Sequence, residues 1–496
     1  MGRFILTLDQ GTTSSRAIVF DREGSIVSSR QVSFSQYYPK PGWVEHDPDQ
    51  IWESQILAVE QALETIGPND IGAVGITNQR ETTILWDRIT GKPLHPAIVW
   101  QCRRTAHICD DLKSQGLEDY VRNTTGLLID AYFSATKIKW ILDSDPVIRD
   151  KAVRGEVCFG TVDSWLLYKL TGGRVHATDV TNASRTMLWD INRMCWDERL
   201  LGVLGIPRSV LPEVRDSSGF FGEAEIMGRK IPVTAVAGDQ QAALFGQTCF
   251  SPGDIKNTYG TGCFILCNTG ERKVVSESGL LTTVAYSIGG RTAYALEGSV
   301  FNAGSAIQWL RDEMGIISEA SECDELAEQV GDCNGMYFVP AFTGLGAPYW
   351  DMYARGTAVG MTRGTTRAHF ARAVLESLAY QSRDVIEVMR SDSGVDVTSI
   401  SADGGASASN VLMQFQADIL GISVVRPVNR ESTALGAAFL AGLSAGMWSG
   451  FDELRSIRKT DRVFAPGMDD SRRDLMFRGW KKAVTCAGKW AENENR

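Results

Sequence analysis

One pattern occurs twice in this chain, at residues 4–20 and again at residues 255–268: an apolar run, a turn rich in Gly, Thr and Ser, and a second apolar run. In the first copy, residues 4–8 read as a strand, 9–16 as a turn and 17–20 as the returning strand. In the second copy, residues 255–259 and 264–268 flank Tyr259-Gly260-Thr261-Gly262. Short apolar runs broken by such residues predict β-hairpins. Two equivalent hairpins, each followed by mixed strand and helix signals, predict two similar α/β domains. A length of 496 residues agrees, at roughly 100–200 residues per domain. The boundary is expected near residues 247–252, giving domains 1–248 and 249–496.

The segments between these hairpins fill in the α/β reading. Asp47 is placed to cap a helix with Pro48 at its first position, running through Ile51, Ile56, Val59 and Leu63. Residues 71–77, 97–100, 233–237 and 399–402 read as strands. Helical spacing of Phe370, Val374, Leu378, Val385 and Met389 predicts a long helix over 368–389, and residues 411–420 read as another. An apolar fraction of 43% supplies a sizeable core.

Several function classes fall away. A net charge of −10 without a basic patch makes nucleic acid a poor partner. Ten cysteines without a Cys-x-x-Cys pair, and five scattered histidines, read as free thiols rather than a structural metal site. Free thiols predict a reducing, cytoplasmic setting. No stretch of 18 apolar residues predicts a membrane span, and the apolar run after Arg3 is too short for a signal peptide.

The turns themselves suggest phosphate chemistry. Neither Gly-x4-Gly-Lys-Ser/Thr nor Gly-x-Gly-x-x-Gly at a strand–helix junction occurs, which excludes a Walker loop and disfavours a dinucleotide fold. Gly/Thr/Ser turns still present backbone N–H groups and hydroxyls to phosphate oxygens. Asp9 ends the first strand, where it either holds Mg²⁺ or only caps its own turn. Asp239 ends another strand, a position that suits a general base for an acceptor hydroxyl. Arg80 and Glu81 offer donors and acceptors for a polyol, or form a plain surface ion pair.

Longer motifs narrow the choice. Leu8-Asp9-Gln10-Gly11-Thr12-Thr13-Ser14-Ser15-Arg16 resembles the first phosphate hairpin of the FGGY family of carbohydrate kinases. Thr77-Asn78-Gln79-Arg80-Glu81-Thr82-Thr83, Gly238-Asp239-Gln240-Gln241, Tyr259-Gly260-Thr261-Gly262 and Phe342-Thr343-Gly344-Leu345-Gly346 are most similar to its glycerol-phosphorylating members. The similarity runs from about residue 4 to about residue 485. It implies two RNase-H-like domains of the actin/sugar-kinase ATPase type flanking a deep cleft. It also implies transfer of phosphate from ATP to glycerol, yielding sn-glycerol 3-phosphate and ADP, with Mg²⁺ at Asp9. By the same resemblance, Arg80, Glu81, Tyr132, Asp239 and Gln240 bind glycerol, Trp100 and Phe264 pack on its carbons, and Asp239 is the base. Thr12, Thr13, Ser14, Arg16, Thr261, Gly304, Gln308, Gly405, Ser409 and Asn410 bind the nucleotide. A homodimer or homotetramer is the family habit. Two departures stand out: Ala131 and Ala135 replace the usual Pro and Gly around Tyr132, and Ser409-Asn410 replaces a pair of Asn. A kinase for another polyol or a pentulose, or an actin-like ATPase without a polyol site, remains the alternative.

Overall fold

The computed structural model describes residues 2–491. Thirteen strands join in one continuous sheet. Along the chain they are β1 (Phe4–Gln10), β2 (Ser14–Phe20), β3 (Ile26–Ser33), β4 (Ile71–Asn78), β5 (Ser218–Ile226), β6 (Arg229–Gly238), β7 (Ile255–Tyr259), β8 (Cys263–Gly270), β9 (Leu281–Ile288), β10 (Arg291–Val300), β11 (Ser399–Asp403), β12 (Ser423–Pro427) and β13 (Thr460–Phe464). The helices that position the site are α1 (Pro48–Leu63), α2 (Asp239–Gly246), α3 (Gly304–Asp312), α4 (Arg367–Ser393), α5 (Asn410–Leu420) and α6 (Ser432–Ala445).

The spatial order is β13-β12-β11-β7-β8-β10-β9-β5-β6-β4-β1-β2-β3. Its two halves follow one scheme. In the first, β1 is antiparallel to β2 and parallel to β4, and β4 is parallel to β6. In the second, β7 is antiparallel to β8 and parallel to β11, and β11 is parallel to β12. The repeated hairpin is therefore the seed of a repeated sheet. The halves meet through a single parallel pairing, Ser218 with Ile288, between β5 and β9. Following the pairings across the sheet, β1, β4, β6, β7, β10 and β11 all run in the same direction. Their carboxyl ends lie along one edge, the usual place for ligands in α/β sheets.

Burial explains the strand positions. All seven residues of β1 are buried, as a strand covered on both faces requires, while β3 at the edge is mostly exposed. The Asp47 carboxylate accepts from the Asp49 N–H and Pro48 opens α1, as the sequence predicts. Helix α6 crosses from the second half to pack on the first. Phe439, Ala434 and Leu435 share a core with Ile5, Ala73 and Ala235. Gly436 makes this close approach possible, because a Cβ there would meet the Ala242 carbonyl oxygen on α2 at 1.8 Å.

Three expectations shift. The first turn is only residues 11–13, because ladder pairing on both sides carries β1 through Asp9 to Gln10. Residues 97–100 hold a strand only at Ala97–Ile98; it pairs with Glu45–His46 outside the large sheet, and the chain then turns through a Cys102 N–H to Val99 carbonyl bond of 2.9 Å. Beyond β11, the expected turn winds into a short 3₁₀ segment, Gly405–Ala408.

Candidate active site

The first part of the site grows from the end of β4. Beyond Asn78 the chain makes a three-residue turn centred on Glu81, with φ +60° and a Thr82 N–H to Arg80 carbonyl bond of 2.7 Å. Such turns are rare and strained for a residue with a Cβ, and strain of this kind collects at functional sites. Arg80 and Glu81 are both buried, which disposes of the surface ion pair. They are also not each other's main partner. Arg80 grips Glu297 of β10 with Nη1–Oε2 at 2.5 Å and Nη2–Oε1 at 3.1 Å. Its Nε lies 3.1 Å from Asp239 Oδ1, against 3.9 Å to Glu81 Oε1. Glu81 instead accepts from Arg185 Nε at 2.6 Å, and Arg185 Nη2 reaches Glu297 at 3.1 Å.

These charges balance in the interior, the condition for burying them at all. Burial alone would push the Glu297 carboxyl up, but Arg185 and Arg80 outweigh it and bring it down to about 2. For Glu81 burial wins and, with the nearby Glu297 charge, raises the carboxyl against the lowering pull of Arg185 and Arg80.

Asp239 and Gln240 open α2 directly after β6. A helix N-terminus favours a carboxylate, and 31% of the Asp239 side chain stays exposed. Gln240 donates to it twice, from the backbone N–H at 2.7 Å and from Nε2 at 3.1 Å. The Gln240 Oε1 accepts from the buried Lys256 ammonium on β7. The Trp100 indole donates to Thr12 Oγ1 at 3.1 Å and meets the Tyr132 ring edge-on at 5.6 Å. Arg185 lies 5.4 Å from the centre of the Tyr132 ring. Burial raises the Tyr132 hydroxyl far above its ordinary value. Around Tyr132, Asp130 Oδ1 accepts its N–H at 2.8 Å and the Lys137 ammonium caps the Tyr132 and Phe133 carbonyls. Ala131 and Ala135 are fully buried there, so the loop is pinned despite lacking the usual Pro and Gly. Phe264 is half-buried on β8, opposite Thr258.

The residues expected to meet phosphate lie on both hairpins. In the first, the Gly11 N–H donates to the Ser14 carbonyl at 2.9 Å, leaving Thr12 partly exposed and Thr13 exposed. Ser14 Oγ accepts from Gln31 Nε2 at 2.9 Å. Arg16 is paired with both Asp9 and Glu431, the residue before α6. Burial raises the Asp9 carboxyl, against the lowering pull of Arg16. A carboxylate is the hard oxygen donor that Mg²⁺ takes, and Asp9 offers one beside the first turn, paired here with Arg16. In the second hairpin, the Ala303 N–H donates to the Thr261 carbonyl at 2.8 Å and the Gly304 N–H to the Gly260 carbonyl at 3.0 Å. This seats the start of α3 on the turn, with Gln308 on its exposed side. Gly405 is exposed just past β11. Ser409 caps α5, accepting from the Leu412 N–H at 3.0 Å and donating to Asp324 Oδ1 at 2.5 Å. Asn410 Oδ1 accepts from Arg426 at 3.1 Å.

Residues 4–246 match the model of the N-terminal domain of the FGGY family of carbohydrate kinases, and residues 255–445 match that of its C-terminal domain. This chain belongs to the FGGY family. Among FGGY relatives, it is 59% identical over 492 residues to glycerol kinase 2 of Thermotoga maritima, covering 98% of this chain and 99% of that one. It is 58% identical to the glycerol kinase of Alkaliphilus metalliredigens over the full length of both. The crystal structure of Plasmodium falciparum glycerol kinase with ADP superposes with a TM-score of 0.93 at 39% identity, covering 98% of each chain. A xylulose kinase from Lactobacillus acidophilus shares the fold, with a TM-score of 0.86 at 22% identity. No helix of the described residues is long and apolar enough to cross a membrane.

Sequence alone did not point to four charged residues that contact the candidate site: Arg185, Lys256, Glu297 and Glu431. Two of them left a signal. Lys256 is the one charge of β7, Glu297 is the one charge of β10 beyond Arg291, and a charge inside a buried strand demands a partner.

Proposed function

We propose that this chain transfers the terminal phosphoryl group of ATP to glycerol, giving sn-glycerol 3-phosphate and ADP, with Asp239 as general base. One observation carries the reading: Asp239, held by Arg80 and Gln240, keeps part of its carboxylate open on the sheet edge where both phosphate turns end. Full-length likeness to chains named glycerol kinase supports the choice of acceptor.

In this reading, Arg80, Glu81, Tyr132, Asp239 and Gln240 hold the glycerol hydroxyls, and Trp100 and Phe264 cover its carbons. The reacting hydroxyl gives its proton to Asp239 as its oxygen bonds to the terminal phosphorus. The bond from that phosphorus to the bridging oxygen breaks, and ADP leaves. Thr12, Thr13, Ser14 and Arg16 bind phosphates from the first domain, residues 1–248. Thr261, Gly304, Gln308, Gly405, Ser409 and Asn410 bind the nucleotide from the second, residues 249–496. Asp9 would hold Mg²⁺, which when bound neutralises phosphate charge. A cytoplasmic location goes with the use of ATP.

The test is Asp239→Asn in an ADP-release assay. Turnover on glycerol should fall roughly 10²–10⁴-fold, the usual weight of a positioned base, while calorimetry still detects glycerol binding. Near-normal turnover would remove Asp239 from the role. Wild-type rates on xylulose or erythritol equal to those on glycerol would sink the choice of acceptor.

A further inference from the structure

Lys256 is fully buried, yet no carboxylate is its direct partner. Its ammonium donates to Gln240 Oε1 and, at 2.9 Å, to Thr258 Oγ1. Those two acceptors belong to different halves of the molecule. Gln240 opens α2 in the first half, beside Asp239. Thr258 lies on β7, just before the second phosphate turn.

An ammonium has donors only, so it can face the oxygen end of the Gln240 amide but not the nitrogen end. Contact with Lys256 therefore turns Gln240 Nε2 toward Asp239 Oδ2, where the distance is 3.1 Å. The other carboxylate oxygen of Asp239 is held by Arg80 Nε at 3.1 Å. The result is a chain of contacts from β7 through Lys256 and Gln240 to the carboxylate that faces the acceptor.

We propose that Lys256 is a positioning residue of this site, fixing the Gln240 amide and, through it, the aim of Asp239. The inference rests on the glycerol-phosphorylating reading above. Burial this deep could serve packing alone, but packing would be served by Met or Leu without the cost of an interior charge. Charged groups face Lys256 from every neighbouring element: Asp403 at the end of β11, Asp239 on α2, Glu297 on β10 and Arg80 beyond β4, with the Cys263 thiol on β8. Burial lowers its pKa to about 8 against the raising pull of Asp403, Asp239 and Glu297. The ammonium thus gives up its charge and one donor as pH rises through about 8.

The experiment compares wild type with Lys256→Met, which keeps length and volume, and with Lys256→Gln, which keeps a donor that does not titrate. Glycerol and ATP are varied separately in the ADP-release assay, and thermal unfolding is followed alongside. For Lys256→Met, kcat/KM for glycerol should drop roughly 10²-fold, the scale of an ångström's misplacement at a reacting group. KM for ATP should hold and unfolding should shift little. Lys256→Gln should recover part of the loss and lack the wild-type decline in kcat/KM for glycerol above about pH 8.

Wild-type kcat/KM in Lys256→Met, or a raised KM for ATP together with a lowered Tm, would overturn the proposal and leave Lys256 a structural residue. Should Lys256→Met fail to fold, the alkaline limb decides: its persistence in Lys256→Gln overturns the role. Wild-type turnover of glycerol is measured first. Its absence removes the functional reading, whereas normal wild-type turnover beside an unaffected Lys256→Met removes only this inference.

Discussion

Replacing Glu297 by Gln removes one negative charge from the centre of the buried cluster and keeps the side chain's shape. Two guanidiniums then share the interior with Glu81 and the half-open Asp239. Glu297 takes three short contacts, two from Arg80 and one from Arg185. Its carboxyl is held down from 4.5 to about 2, which at about 1.4 kcal/mol per pH unit is worth about 3 kcal/mol at neutral pH. Removing one partner of a buried ion pair typically costs roughly 3–5 kcal/mol, so the two routes agree. Because the folded-state value is depressed, this stability is present above pH 4.5 and is lost as pH falls toward 2. Urea titrations of wild type and Glu297→Gln at pH 7 should differ by about 3 kcal/mol with equal slopes, and the gap should shrink steadily below pH 4.5. Glycerol affinity should weaken as well, since Arg80 loses the fork that aims it. A difference within about 0.5 kcal/mol at pH 7, the range of an ordinary surface change, would refute the reasoning. A gap that ignored pH would refute it too.

Two further substitutions test the frame around the site. Gly436→Ala puts a Cβ 1.8 Å from the Ala242 carbonyl oxygen, so α6 and α2 must move apart. Overpacking of this kind costs roughly 1–3 kcal/mol, and because α2 carries Asp239 and Gln240, kcat should fall together with the thermal midpoint. Ser409→Ala loses the cap of α5 and the tie to Asp324. It should cost about 1 kcal/mol, with KM for glycerol unchanged and any rise confined to KM for ATP.

How much of this was readable in advance depends on the range of the interaction. The hairpins were readable because their turns are local: Gly11 and its hydroxyl neighbours, or Gly260 and Gly262, announce the chain reversal within a few residues. Helix α1 was readable for the same reason, its cap lying in Asp47-Pro48. The candidate residues Arg80, Glu81 and Asp239 could be picked out by motif, but their mutual arrangement could not. Arg80 and Glu297 are 217 positions apart, and nothing near Glu297 says which guanidinium will claim it. The apolar, small-residue run of α6 announces burial, yet not that the helix will cross back to the first half and set Glu431 against Arg16, 415 positions away. Even the turn bounds at residues 9–16 shrank for a long-range reason, since β1 is extended by β2 and β4 together. Lys256 joins both limits. In the sequence it is one charge inside a strand; only pairing of the two halves brings Gln240 within its reach, and the same pairing makes it informative about Asp239.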